Sequence, residues 1–163
     1  MQNLDQQLDE IFAARNREDM SPTIAAFARV VEKNPGNARA LYELGGSYDT
    51  AGEEETARIY YEKAHEAGLD EPYLKNWYLG YGSTLRNVGE LEKSLQIFDE
   101  AIEKYPDSSV FQVFRAITLF SLKKHSQAVG NLLAVIAETG QGEDLDRYRP
   151  ALRGYGEYIQ GLS

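Results

Sequence analysis

Apolar residues return every three or four positions along most of this chain, with polar residues between them, a pattern that predicts helices. Leu4, Leu8, Ile11 and Phe12 share one face of a first helix over about 3–16. Ser21-Pro22, read as an N-cap and first-turn proline, opens a second helix through Ile24, Phe27, Ala28 and Val31. Asn34-Pro35-Gly36 stops it, because proline cannot continue the hydrogen-bond ladder. Six more helices are predicted over about 37–50, 53–67, 72–88, 90–104, 109–122 and 126–138, punctuated by Gly52, Gly68, Gly89, Asp107-Ser108 and Lys123-Lys124. Beyond Gly140-Gln141-Gly142, the residues Tyr148, Leu152, Tyr155, Ile159 and Leu162 mark one side of a last helix, with Pro150 in its first turn or at a kink. Such a helix suits the end of an open helical array, apolar toward the chain and polar toward water.

The pattern also repeats over a longer period. Leu41, Leu44-Gly45 and Tyr48, then Ala57, Tyr61 and Ala64, return as Tyr78, Tyr81-Gly82 and Leu85, then Ser94, Phe98, Ala101 and Pro106. A third copy runs through Ala116, Leu119, Ala128, Leu132 and Val135. Gly45 to Gly82 is 37 residues and Gly82 to Ala116 is 34, the three extra falling in the turn from Gly68 to Pro72. Glycine inside a helix costs about 1 kcal/mol relative to alanine, a penalty tolerated where it lets two helices approach. Gly45 and Gly82 are therefore read as close-approach points, with Tyr61 and Phe98 filling the space beside them.

These offsets resemble the tetratricopeptide repeat, whose pattern is W-x2-L-G-x2-Y, then A-x3-F, then P. The resemblance covers residues 37–139 clearly and 3–36 as a degenerate copy. It implies an all-α fold, a right-handed α-α superhelix of antiparallel helix pairs. One domain, 1–163, would hold a degenerate pair (1–36), repeats at 37–69, 70–107 and 108–140, and a capping helix at 143–162. Gln112 and Arg115 depart from it, standing where an aromatic and a leucine are usual. The block from Gly82 to Gly89 further resembles a small bacterial subfamily, which implies a stand-alone, dimeric interaction protein.

What the family resemblance implies for function is a non-catalytic module that binds a peptide or helix of a partner in a concave groove lined by the first helix of each pair. At 100° per residue, Arg39, Tyr42, Gly46 and Asp49 share that side of the third helix. Asn76, Leu79, Ser83 and Arg86 do so on the fifth, and Val110, Val113, Ile117 and Phe120 on the seventh. Co-chaperone members grip a terminal carboxylate with Lys and Asn, and this chain has Tyr42, Gly46, Leu79 and Ser83 at those places, so that clamp is not expected. The seventh helix is apolar nearly all round, which predicts burial all round. The C-terminal tail, a second copy of the chain or an apolar segment of a partner would cover it. A structural homodimer through helix 109–122 or the C-terminal helix is accordingly the second reading, and a catalytic protein with an unrecognised site the third.

Composition narrows the partner more than the fold. The formal charge of −9 disfavours nucleic acid, which needs clustered Lys and Arg. There are no cysteines, which removes disulfides, thiolate-held zinc and thiol catalysis. The N-terminal stretch is polar and lacks the apolar run of a secretory signal, and no stretch is apolar enough to span a bilayer. A cytoplasmic protein is expected. His65-Glu66 does not continue as a zinc motif, and Gly80-Tyr81-Gly82 lies mid-helix with no strand before it, so neither a metal nor a nucleotide cofactor is expected.

Overall fold

A computed structural model of the chain describes residues 3–162. Nine helices and no strand occur among them: α1 (Leu4–Ala13), α2 (Ser21–Lys33), α3 (Ala38–Thr50), α4 (Glu54–Glu66), α5 (Tyr73–Asn87), α6 (Leu91–Lys104), α7 (Ser109–Ser121), α8 (His125–Thr139) and α9 (Glu143–Gln160). They gather into two compact units, one ending at Val88 and one beginning at Gly89.

In the first unit the apolar stripes of α1, α2 and α3 close on one another. Leu8, Phe27, Val30, Ala40 and Leu44 are buried at their meeting point, with Ile11, Ile24, Val31, Tyr48 and Tyr60 packed around them. Asn37 caps α3 by accepting the Ala40 N–H at 2.8 Å, which satisfies one of the orphan donors of a helix start. α3 and α4 then pair closely, and Gly45 is why they can. A Cβ at Gly45 would stand 3.1 Å from the Tyr61 ring and 3.2 Å from the Tyr61 backbone nitrogen. α5 is tied to this hairpin by Trp77, which is buried and donates its indole N–H to the Tyr61 carbonyl at 2.8 Å while stacking on His65.

The second unit is a run of neighbours, α6 on α7, α7 on α8 and α8 on α9. Ala116, Leu119 and Ala128 form a small cluster with Leu95, and Phe98 and Phe111 are fully buried. A buried hydroxyl pair, Ser94 with Thr118 at 2.9 Å, joins α6 to α7. Of the two positions that depart from the repeat pattern, Arg115 makes a polar tie through its side chain and Gln112 only through its backbone carbonyl. Arg115 forms an ion pair with Asp99, and Asn131 donates to the Gln112 carbonyl at 3.0 Å. α8 and α9 meet at two glycines: a Cβ on Gly130 would stand 2.7 Å from the Gly156 carbonyl. Arg149 closes the joint by donating to the Ala137 and Gly140 carbonyls at the end of α8.

Several expectations are corrected. Ser21 is the first residue of α2, Met20 holds the cap position, and Asp19 accepts the Ser21 N–H at 3.1 Å. α1 ends at Ala13, three residues early, because Asn16 and Asp19 pair in a tight turn. Pro150 lies inside α9. That helix turns Gly156 and the half-buried Leu145, Leu152 and Ile159 inward, while Tyr148, Tyr155 and Leu162 are exposed. Leu132, which stands where Tyr61 and Phe98 stand in the other copies, is 37% exposed. Nor does α7 have the tail over its open side, since α9 packs on α8.

Candidate functional site

The third helix supplies the most developed site in the molecule. Its inner side carries Tyr42, Gly46 and Asp49, and these three line one cavity of about 230 Å³. Glu43, Ser47 and Thr50 extend the same wall. Phe12 at the end of α1, with Arg15, Arg17 and Met20 from the turn that follows, forms the opposite wall, and Tyr61 of α4 closes the far end. Gly46 lies against Tyr61: a Cβ there would stand 3.5 Å from the Tyr61 hydroxyl, an ordinary contact distance.

The charges in this cavity are held where water reaches them poorly. Glu43 is 7% exposed, and burial pushes its carboxyl up to about 7 against the pull of Arg39 and Arg15. Burial and the neighbouring Glu54 push Asp49 up to about 6, although Tyr61 donates to it at 3.1 Å and favours the ionised form. Tyr42 is pushed up to about 12, first by burial and then by the negative charge of Glu43 and Asp49. Its ring lies 6.0 Å from those of both Tyr61 and Tyr73.

The remaining predicted residues are placed differently. Arg39 pairs with Asp5 at 3.3 Å and with Asp9, both on α1, and its guanidinium lies 4.7 Å over the Tyr73 ring. On α5, Asn76 is exposed and Leu79 half-buried. The Ser83 hydroxyl and Arg86 Nη1 are buried without a hydrogen-bond partner. Burial lowers the Arg86 pKa, and Glu54 and Asp49 oppose that shift. In the second unit Val110, Ile117 and Phe120 of α7 are exposed, Phe120 at 63%, and Val113 is half-buried.

Sequence reasoning missed Glu43, Arg15 and the hydroxyl of Tyr61. Glu43 carried a usable signal, an acid between Leu41 and Leu44 on the packed flank of a helix. Arg15 carried none, because the turn that brings it over α3 is irregular. Chemically the cavity offers carboxylate acceptors, tyrosine faces and hydroxyls, and an apolar edge from Phe12 and Met20. Among the described residues no group of three His, Asp or Glu side chains is placed to hold a metal ion, and no helix is long and apolar enough to cross a membrane.

Comparison with known proteins agrees with this architecture. A family model described as tetratrico peptide repeat matches residues 38–159. Among solved structures, YrrB, described as a TPR protein with an unusual peptide-binding site, superposes with a TM-score of 0.65 at 15% identity, covering 98% of this chain and 88% of YrrB. Among curated proteins, the Protein CTR9 homolog of Arabidopsis thaliana is 31% identical over 80 residues. That stretch is 48% of this chain and 7% of the Arabidopsis protein.

Proposed function

The chain belongs to the tetratricopeptide-repeat family, and on that premise we propose that it is a non-catalytic protein–protein interaction module. It takes a peptide or helix of a partner against the inner faces of its first helices, in the helix-lined manner of groove recognition. The observation that carries this reading is the cavity on α3, where three of the residues singled out by helical phase line one opening with Glu43 and Tyr61. That YrrB is described as peptide-binding supports it. The charge of −9 supports a protein partner over nucleic acid, and the protein is taken as cytoplasmic.

The test is selection from a displayed random peptide library on the immobilised protein. Peptides that bind should lose most of their affinity for the triple variant Tyr42→Ala, Leu79→Ala, Arg86→Ala, with the circular dichroism spectrum unchanged. Equal binding to the folded variant would remove the assignment.

A second reading has its own support. Ile117 and Phe120 on α7, Tyr148 and Tyr155 on α9, and Leu162 just after it, are exposed. A structural homodimer would cover such residues, and sedimentation at micromolar concentration separates the two: a strictly monomeric chain ends the dimer reading.

A further inference from the structure

The α3 cavity has a chemistry more specific than its family. Its most buried carboxylate, Glu43, makes no ideal bond: the nearest cationic nitrogen in an ion pair with it, Arg39 Nε, is 3.7 Å away. Arg39 itself is shared with Asp5 and Asp9. Of the two other cations on the walls, Arg15 is engaged, donating to the Phe12 carbonyl at 2.8 Å with its guanidinium 3.7 Å over the Phe12 ring. Arg17 is exposed. A second carboxylate, Asp49, lies along the same wall, with the Tyr61 hydroxyl donating to it at 3.1 Å and Thr84 and Glu54 beside it. Two tyrosines, Tyr42 and Tyr61, also line the cavity, and aromatic rings attract cations. Phe12 and Met20 supply apolar surface. Carboxylates, aromatic faces and a short apolar wall are what a basic side chain asks for. Its charge meets the acids, and its methylene stem lies on the hydrocarbon.

We propose that this cavity receives one basic side chain of the partner, an ammonium or guanidinium on an aliphatic stem, with Glu43 and Asp49 as its counter-charges. The proposal rests on the peptide-binding reading and adds the residue class that anchors the peptide. An entering cation restores to the buried acids the electrostatic support that burial removes, so it drives both toward the ionised form and releases protons on binding near pH 7. The charges that set the balance are Asp9 on α1, Arg15 in the turn, Arg39 on α3, Glu54 on α4 and Arg86 on α5.

The probe is n-butylammonium, followed by amide and carboxyl NMR at constant ionic strength, beside the neutral butyramide and the anionic butyrate. Butylammonium should shift the amides of Tyr42, Glu43, Gly46 and Asp49 saturably and lower the Glu43 carboxyl pKa. Glu43→Gln should weaken it by about tenfold or more, Asp49→Asn should weaken it too, and the exposed Glu66→Gln should not. Should Glu43→Gln fail to fold, Asp49→Asn and the wild-type carboxyl titration still decide. Butyrate saturating the same amides, equal shifts from butyramide, or no saturation by about 50 mM butylammonium would each overturn the proposal. Peptide selection separates the two levels. Binders without Lys or Arg that still need Tyr42 sink the basic anchor and leave the interaction module standing. Butylammonium binding with no peptide selected does the reverse.

Discussion

The two units spend their apolar residues differently. Among the exposed large hydrophobic side chains of the described residues, only Phe12 and Ile59 belong to the first unit, while Val110, Ile117, Phe120, Val129, Leu132, Ile136, Tyr148, Tyr155, Tyr158 and Leu162 all belong to the second. The first unit turns its apolar stripes inward and keeps polar and aromatic groups at its cavity, with two acids held partly out of water. The second brings α8 and α9 together at Gly130 and Gly156 and leaves apolar side chains facing out. Scattered exposed apolar residues are ordinary, but a concentration of them in one unit marks a surface that something else covers. On the proposed reading, recognition by charge and shape would fall to the first unit and recognition by apolar contact to the second.

The sharpest way to break this comparison is to delete a core side chain from the first unit. Leu44 is fully buried where α1, α2 and α3 meet, so Leu44→Ala should cost about 3 kcal/mol, in the range for a leucine removed from a packed core. Denaturant unfolding measures it. A cost under about 1 kcal/mol would mean that this core is loosely packed and that the contrast between the units is false.

The joint in the second unit comes next. Gly130→Ala gains helix propensity of about 1 kcal/mol but drives a Cβ into the Gly156 carbonyl and the Gln160 side chain. Backbone cannot yield as a side chain end can, so a net loss of about 2 kcal/mol is expected, concentrated in α9. Hydrogen exchange should speed up over residues 143–160 and leave α3 and α4 unchanged. Uniform protection would show that α9 does not depend on the glycine contact.

That joint also marks where the sequence was mute. Helix positions were legible because most helices bury one stripe, and a stripe of Leu, Phe and Tyr is visible at its period. On the inward face of α9 the spacing did mark Leu152 and Ile159, but not Gly156 opposite Gly130, because a contact made by the absence of a side chain leaves no hydrophobic signature. The tyrosines at helical spacing were the conspicuous pattern, and they are the exposed ones. On α7 the hydropathy implied burial on every side, which no single sequence can guarantee when the covering surface is another molecule. The inner side of α3 was legible from phase alone, giving Tyr42, Gly46 and Asp49. The opposite wall was not, because it depends on where an irregular turn sets Arg15 and Met20.

The acids of the first unit give a pH test with a definite sign. Glu43 rises from an ordinary 4.5 to about 7 in the folded chain, so the folded state holds more protons than the unfolded one between those values. Stability from this group is fully present below pH 4.5 and is lost as pH climbs through about 7. Glu43→Gln removes that loss. The variant should gain on the wild type by about 1–2 kcal/mol between pH 5 and pH 8, read from paired urea titrations. Asp49→Asn should move the same way over the lower window from 3.8 to about 6, by less, because the Tyr61 hydroxyl favours the Asp49 anion and bonds a neutral amide oxygen more weakly. A gap that narrows as pH rises would show Glu43 to be stabilised as the anion and the cavity to be already satisfied.

The smallest effect on stability belongs to Phe120. Its ring is 63% exposed and rests 4.9 Å from the ring of His125, so truncation removes little buried hydrocarbon. Phe120→Ser should change dilute-limit stability by no more than about 0.5 kcal/mol, where Leu44→Ala costs several times as much. The informative variable is concentration, because a ring covered by a second copy makes the melting temperature rise with protein concentration. If the wild type shows that rise and Phe120→Ser abolishes it, the apolar side of α7 is a self-association surface. If neither chain shows it, the surface stays open for a heterologous partner. A concentration-independent loss above about 1 kcal/mol would place Phe120 inside the chain's own packing, and the second unit would then be as self-contained as the first.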